Sequence, residues 1–142
     1  MAIKMSEPIG PAAIGPLICR VALGAYFVMA GFSKLQMLSA FVAQVKTFGV
    51  LPDNASSLYA VLLPYVEVAI GGCLVLGLWT TMAAIMASAL LVSFVFAFGF
   101  FPGASDIFNK DIVLLGAVLG LLYTGPGAYG LDNVRKPPSA AH

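Results

Sequence analysis

Long apolar runs separated by short polar stretches dominate this chain. A helix needs about 20 mostly apolar residues to cross the hydrocarbon core of a bilayer, and several runs approach or exceed that length. They predict membrane-spanning helices over residues 16–33, 58–79, 80–101 and 106–124. The fourth helix reaches spanning length only if it begins near Ser105 or Asp106 and carries Asp111 into the membrane.

The connections between these runs have patterns of their own. Residues 34–57 form the longest connection, and its apolar residues recur at helical spacing from Leu35 to Phe48. This pattern predicts a short amphipathic helix that lies on the membrane interface. Trp79 and Thr80 mark a tight turn between the second and third spans, and residues 133–142 are typical of a disordered polar tail.

The predicted fold class follows from this order of elements. It is all-α: an integral membrane four-helix antiparallel bundle, with a short interfacial helix after the first span, in a single domain over residues 1–142. An even number of spans puts both termini on one side of the membrane. That side has a slight excess of Lys and Arg, so we expect a bacterial inner-membrane protein with both termini cytoplasmic.

Composition supports the lipid bilayer as the solvent. The chain is 61% hydrophobic and 9% charged, whereas soluble domains have about 25% charged residues. The formal net charge is +1. Without a basic patch to neutralise phosphates, nucleic acid is not an expected partner. We expect other membrane subunits as partners.

The hexapeptide "GPGAYG" (125–130) fits the G-x-G-x-x-G fingerprint of dinucleotide-binding folds. That fingerprint must follow a strand, open a helix and lie within a βαβ unit of about 30 residues. Here it follows an apolar helix and only twelve residues come after it. We therefore interpret Gly125 and Pro126 as a helix stop and Tyr129 as an interfacial aromatic, and expect no bound nucleotide.

Four segments in the same order resemble a known family. "RVALGAYFVMAGFSKL", "PYVEVAIGGCLVLGL" and "DIVLLGAVLGLLYT", followed by "GPGAYGLD", resemble the helices and C-terminal signature of DoxX-type membrane proteins, over about residues 17–132. The resemblance implies four membrane-spanning helices and an accessory role beside redox systems. It also implies a link to quinones.

The chain has few residues that could hold a cofactor. Its sole histidine is His142, the last residue, and it has two cysteines. Haem needs axial ligands that are usually His, and an iron–sulfur cluster usually takes four Cys. We therefore expect no metal site, no catalytic residue and no cofactor bound by the chain's own ligands. A contact with a quinone or another isoprenoid stays open.

Charged residues inside spans are costly and usually find partners in the bundle interior. Helical spacing places the residues of the first span on one stripe: Arg20, Gly24, Phe27, Gly31 and Lys34. A matching stripe on the second span contains Pro64, Glu67, Gly71, Leu74 and Leu78. If the stripes face each other, a polar cluster forms in one half of the bundle from Lys34, Glu67, Lys110 and Asp111. Arg20 is then expected to be an anchor that snorkels at the other end.

Two interpretations of Glu67 stay open at this stage. It forms an ion pair that fixes helix packing, or it contacts a proton path or a quinone headgroup. Cys19 and Cys73 also have two interpretations: a thiol pair that passes electrons, or small apolar residues in the core.

Small residues and aromatic residues complete the pattern. Small residues that permit close helix packing are Gly24, Gly31, Gly71, Gly116 and Gly120. Most of the phenylalanines in residues 94–101 are expected to face lipid.

Three functions fit these observations. The first is an integral membrane accessory subunit of a quinone-linked redox system, without catalytic activity of its own. The second is a purely structural or assembly subunit of a larger membrane complex. The third is a small transporter, although the chain has no broken helices paired across inverted repeats.

Overall fold

Helices account for all the regular secondary structure in the part of the chain that the computed structural model describes, residues 10–99 and 109–135. In chain order they are α1 (Ile14–Gln36), α2 (Leu38–Thr47), α3 (Asp53–Leu76), α4 (Thr80–Phe98), α5 (Lys110–Thr124) and α6 (Leu131–Arg135). The predicted all-α class is confirmed for these residues, which contain no strand.

Three of these helices are long and apolar enough to cross a membrane: Ile14–Gln36, Asp53–Leu76 and Thr80–Ala97. The chain is therefore a multi-pass membrane protein. The described part of α5 has 15 residues, or roughly 22 Å at 1.5 Å per residue. The first residues of the span predicted at 106–124 lie outside the described residues, as do residues 136–142 of the predicted tail.

The helix boundaries differ from the predicted ones at the start of α3. The polar stretch before residue 58 suggested a loop, but α3 begins at Asp53, directly after Pro52. Its serines do not compete with the helix, because they donate to nearby carbonyls: Ser56 Oγ to Leu51 O at 3.0 Å, and Ser57 Oγ to Asp53 O at 2.8 Å. Polar residues satisfied in this way are compatible with a helical first turn.

The tight turn between α3 and α4 lies where the sequence predicts it. Gly77 has a φ of 66° and ends α3 in the left-handed conformation, which glycine adopts without a steric penalty. Trp79 also has a positive φ, 47°, and α4 begins at Thr80. The chain thus reverses direction within three residues.

The most extensive helix contact is between α1 and α3. Glycines make it close: a Cβ added at Gly24 would lie 2.7 Å from Gly71 O, and one added at Gly71 would lie 2.6 Å from Gly24 O. A Cβ at Gly31 would lie 2.7 Å from Pro64 O. In a bilayer, helix association depends on this kind of close backbone packing, because lipid is as apolar as the side chains.

The remaining helices pack around this pair. Contacts join α4 to α5, α3 to α4, α2 to α3 and α1 to α5. Small residues of α4 are buried in the core: Ala83, Ala84 and Ala87. Gly116 and Gly120 of α5 are different, because a Cβ added at either would meet nothing within 4 Å. Their face of α5 is open among the described residues.

Candidate functional site

A buried ion pair joins α1 to α3. Lys34 Nζ lies 2.5 Å from Glu67 Oε1 and 2.7 Å from Glu67 Oε2, so the ammonium donates to both carboxylate oxygens. The Glu67 side chain is 1% exposed and that of Lys34 is 23% exposed. Nearly all of the desolvation therefore falls on the carboxylate, and Lys34 is the group that compensates it.

The local sequence explains how the pair forms. Lys34 is in the last turn of α1, whereas Glu67 is fourteen residues after the start of α3, roughly 21 Å along that helix. Gly31 lies one turn before Lys34, and its lack of a side chain lets α3 pack close to α1. A Cβ added at Gly31 would lie 3.1 Å from Glu67 Cβ. This proximity lets the long Lys34 side chain reach a deeply placed acid.

Two aromatic rings cover the ammonium. Lys34 Nζ lies 5.5 Å from the ring centroid of Phe41 in α2 and 5.0 Å from that of Phe94 in α4. Both distances are within the range of cation–π attraction. Phe94 is 9% exposed, unlike Phe96, which is 83% exposed. Phe94 is therefore an exception to the expectation that this aromatic run faces lipid, and the residues after Gly99 lie outside the described part.

A second acid and base lie at the start of α5. Asn109 caps this helix by accepting from Asp111 N at 3.0 Å, and its amide donates to Gly99 O at 2.8 Å. Lys110 Nζ lies 3.5 Å from Asp111 Oδ1. The Asp111 side chain is 6% exposed and that of Lys110 is 71% exposed, so this pair is looser and wetter than the one at Glu67.

Electrostatic interactions link the two pairs. Asp111 and Lys110 both act on Glu67, and the Tyr26 hydroxyl lies within interaction range of Lys110. Sequence reasoning had proposed Lys34, Glu67, Lys110 and Asp111. It missed Tyr26 and the ring of Phe41, which belong to the same region. Helical spacing could have found Tyr26, which is eight residues before Lys34 on α1.

The opposite end of the helices contains a buried arginine. Arg20 is 1% exposed, its Nη1 donates to Pro126 O at 2.6 Å, and Asp132 attracts it electrostatically. Gly77 and Gly130 lie against its guanidinium, where a Cβ at either position would collide with Nη1. Arg20 was expected to snorkel as an anchor; in the structure its guanidinium is enclosed by the protein, where the chain supplies a carbonyl acceptor and a carboxylate.

The segment "GPGAYGLD" provides these contacts. Asp132 accepts from the backbone N–H of Trp79 and of Thr80, both at 2.8 Å, and so caps α4. Gly127, with a φ of 70°, lies against the start of α1, where Ala128 N donates to Ala13 O at 3.0 Å. In this structure the segment contacts three helix ends: the start of α1, the end of α3 and the start of α4.

Both described cysteines are free thiols. Cys19 Sγ lies 3.7 Å from Ala117 O, as a weak donor to α5, and Cys73 is half-buried against the core. The structure has no bond between them, and the thiol pair stays a prediction. Within residues 10–99 and 109–135 no three His, Cys, Asp or Glu side chains come together as metal ligands, and His142 lies outside these residues.

Two curated proteins show what the chain is similar to. It is 43% identical to methylamine utilization protein MauE of Paracoccus denitrificans over 75 residues, which cover 53% of this chain and 40% of that relative. It is 28% identical to inner membrane protein YqjF of Escherichia coli K12 over 124 residues, which cover 85% of this chain and 92% of that relative. The match thus spans less than half the length of the Paracoccus protein. No solved structure matches the chain significantly.

The family model that matches residues 12–106 is described as methylamine utilisation protein MauE. The resemblance to DoxX-type proteins is therefore wrong as an identification of the family. Its motifs were glycines, prolines and single charges at helix ends and crossings, and such residues are required by helix packing and termination in many small membrane proteins. Because the matched residues make up more than half of the chain, the protein belongs to the MauE family.

Proposed function

We propose that this chain is a membrane accessory subunit of a redox system for methylamine utilisation, without catalysis of its own. Membership of the MauE family is the observation that carries this proposal. The matched residues 12–106 include the α1–α3 contact and the Lys34–Glu67 pair, so the best-defined polar site belongs to the family region. The partners would be other methylamine utilisation proteins in or at the same membrane.

We propose that α1, α3, α4 and α5 form a four-helix bundle in a bacterial inner membrane, with both termini cytoplasmic. The contacts support this arrangement, since α1 and α4 each pack against both α3 and α5. The four helices then form a closed ring in which each helix packs against two neighbours and lies diagonally across from the third, as expected for a four-helix bundle. The name of the Escherichia coli relative, inner membrane protein YqjF, supports the choice of membrane.

In this proposal the ion pair of Glu67 with Lys34 holds α1 against α3. Both of its oxygens already accept from Lys34, and Phe41 and Phe94 cover the ammonium. An acid with both oxygens engaged is better suited to fixing a surface for partner subunits than to binding a quinone headgroup directly. A quinone link, if the system has one, would then reside in a partner or in a separate site.

A deletion in the source organism tests the role. The strain that lacks this chain should grow normally on ammonium and poorly on methylamine as the nitrogen source, and the full-length chain should restore growth. A tagged chain purified in mild detergent should carry other methylamine utilisation proteins with it. Equal growth of the deletion strain and its parent on methylamine would overturn the proposal. Growth lost on both nitrogen sources would indicate a general membrane role instead.

A further inference from the structure

A pocket of about 280 Å³ opens between α2, α3 and α4. Its lining is almost wholly apolar and includes three residues that carry hydroxyls, Ser56, Tyr59 and Ser93, beside Phe48, Phe96 and Ala97. None of the described residues that line it is charged. Small-molecule sites are usually about 300–1,000 Å³, so this pocket suits a single-ring headgroup better than a whole lipid.

The three hydroxyls donate their protons to other atoms of the protein, and their oxygens can still accept hydrogen bonds. Ser56 Oγ donates to Leu51 O at 3.0 Å, and Ser93 Oγ donates to Leu90 O at 2.7 Å. The Tyr59 hydroxyl lies 2.7 Å from Ser93 Oγ. A hydroxyl has one proton. Because that of Ser93 goes to Leu90 O, Tyr59 is the donor between the two, and the oxygens of Tyr59 and Ser93 retain unused lone pairs.

From this arrangement we propose that the pocket binds the hydroxyl group of a neutral, membrane-soluble phenol or alcohol, which donates its one proton to the oxygen of Tyr59 or of Ser93. A ligand that offers only a carbonyl or an ether oxygen would place this acceptor against the acceptor oxygens of Tyr59 and Ser93, without a proton between them. A charged headgroup would be desolvated without a counter-charge, which is costly. The rings of Phe48 and Phe96 beside the hydroxyls favour a phenol, since an aromatic ring can pack against them.

The position of the pocket connects it to the ion pair. Tyr59 is six residues after the start of α3, roughly 9 Å along it, so a ligand can enter from the membrane near its surface. Glu67 lies farther along the same helix and acts electrostatically on Tyr59. A phenol bound here would therefore lie at the end of the bundle that holds the buried acid. This site adds a ligand to the proposed accessory role and does not depend on it.

Binding to the purified full chain in lipid nanodiscs tests the proposal. The probes are a radiolabelled long-chain alkylphenol and its methyl ether, which has the same chain and no donor. One net hydrogen bond contributes about 0.5–1.5 kcal/mol, so the phenol should bind roughly two- to twelvefold more tightly than the ether. Equal affinities for the two probes would overturn the proposal.

Variants locate the site. Ala97→Phe fills the pocket and should abolish saturable phenol binding. Tyr59→Phe should reduce the preference for phenol over ether, whereas Tyr65→Phe, a control at a 56% exposed tyrosine on the same helix, should not. Ser93→Ala provides a second test if Tyr59→Phe lowers the melting temperature. Phenol binding unchanged by Ala97→Phe would show that the probe binds elsewhere and would refute the assignment.

Competition distinguishes the two natural sources of such a hydroxyl. A short-chain quinol that displaces the alkylphenol better than diacylglycerol does would assign the site to redox lipids, and the reverse order would assign it to lipid alcohols. If neither displaces the probe, the pocket does not recognise membrane hydroxyls and the proposal fails. All these measurements use the chain alone, so their outcome is independent of the growth and co-purification results.

Discussion

The two ends of the helical assembly each bind a cation of the chain, but they hold it in different ways. At one end Lys34 is bound by the carboxylate of Glu67, and both residues belong to long apolar helices. At the other end Arg20 is bound by the carbonyl of Pro126, in the segment between α5 and α6. One cation is thus paired between two spans, and the other is enclosed by the turns that join helices.

This difference separates an adaptable site from a fixed one. Arginine stays charged and presents several donors in a rigid plane, so it suits a permanent junction between chain segments. Lys34 carries its charge on a flexible four-carbon stem that can adjust to its surroundings, and the Lys34–Glu67 pair lies near the hydroxyl-lined pocket. Chemistry is therefore expected at the Lys34 end, and architecture at the Arg20 end.

The largest effect is expected for Glu67→Ala. Removal of one partner of a buried pair costs about 3–5 kcal/mol, because the other charge is left uncompensated. Glu67→Gln should cost less, since its amide oxygen can still accept from Lys34. The free energy of unfolding in mixed micelles measures both. Asp53→Ala is the control, as an exposed acid on the same helix. If Glu67→Ala is as stable as this control, the ion pair does not hold α1 to α3.

A smaller loss is expected for Arg20→Met. Hydrogen bonds to charged groups contribute about 1.5–3 kcal/mol, and Arg20 Nη1 donates one to Pro126 O. Hydrogen exchange should accelerate at the amides of Trp79 and Thr80, since the loosened segment also carries their acceptor, Asp132. Amides near Glu67 should keep their protection. Faster exchange at both ends would mean that the two ends are one cooperative unit, and the contrast between them would be lost.

Helical periodicity predicted a large part of the Lys34 end. A stripe that repeats every three or four residues can be read directly, and it places Lys34 and Glu67 on facing helices with glycines between them. The structure has these two side chains in contact. The second span was predicted to begin at residue 58, after the observed start of α3 at Asp53, because the serines there suggested a loop although they donate to nearby carbonyls.

The Arg20 end could not be predicted in the same way. Its acceptor, Pro126, is 106 residues away along the chain, and no periodic pattern relates a helix residue to a turn at that distance. The glycines of residues 125–130 indicated only that a helix ends there. Family identity failed for a similar reason, since motifs set by packing and termination occur in unrelated membrane proteins.

A double-mutant cycle measures the Lys34–Glu67 coupling directly. Lys34→Met and Glu67→Gln should each destabilise the protein, and the double variant should be more stable than the sum of the two effects by roughly 1–2 kcal/mol, within the range for residues in contact. The double change leaves no unpaired charge. Lys46→Met with Glu67→Gln is the control cycle, since Lys46 is exposed on α2. Strict additivity in the Lys34 cycle would mean that the two charges do not interact.

The smallest effect is expected for Asp132→Asn. The carboxylate accepts from two backbone N–H groups at the start of α4, whereas an asparagine has one oxygen for them and no charge to favour the helix N-terminus. Loss of that charge interaction costs about 0.3–1 kcal/mol, and Asn remains a good cap. Arg20 loses the attraction of the Asp132 carboxylate but keeps its hydrogen bond to Pro126 O. The variant should therefore melt slightly below the wild type and keep full phenol binding, since the pocket lies at the other end. The matched control is Asp53→Asn, in the first turn of α3. If Asp132→Asn destabilises the protein as much as Glu67→Ala, the stability of the protein depends on the Arg20 end at least as strongly as on the Lys34 end. The adaptable and the fixed site would then have to be assigned the other way round.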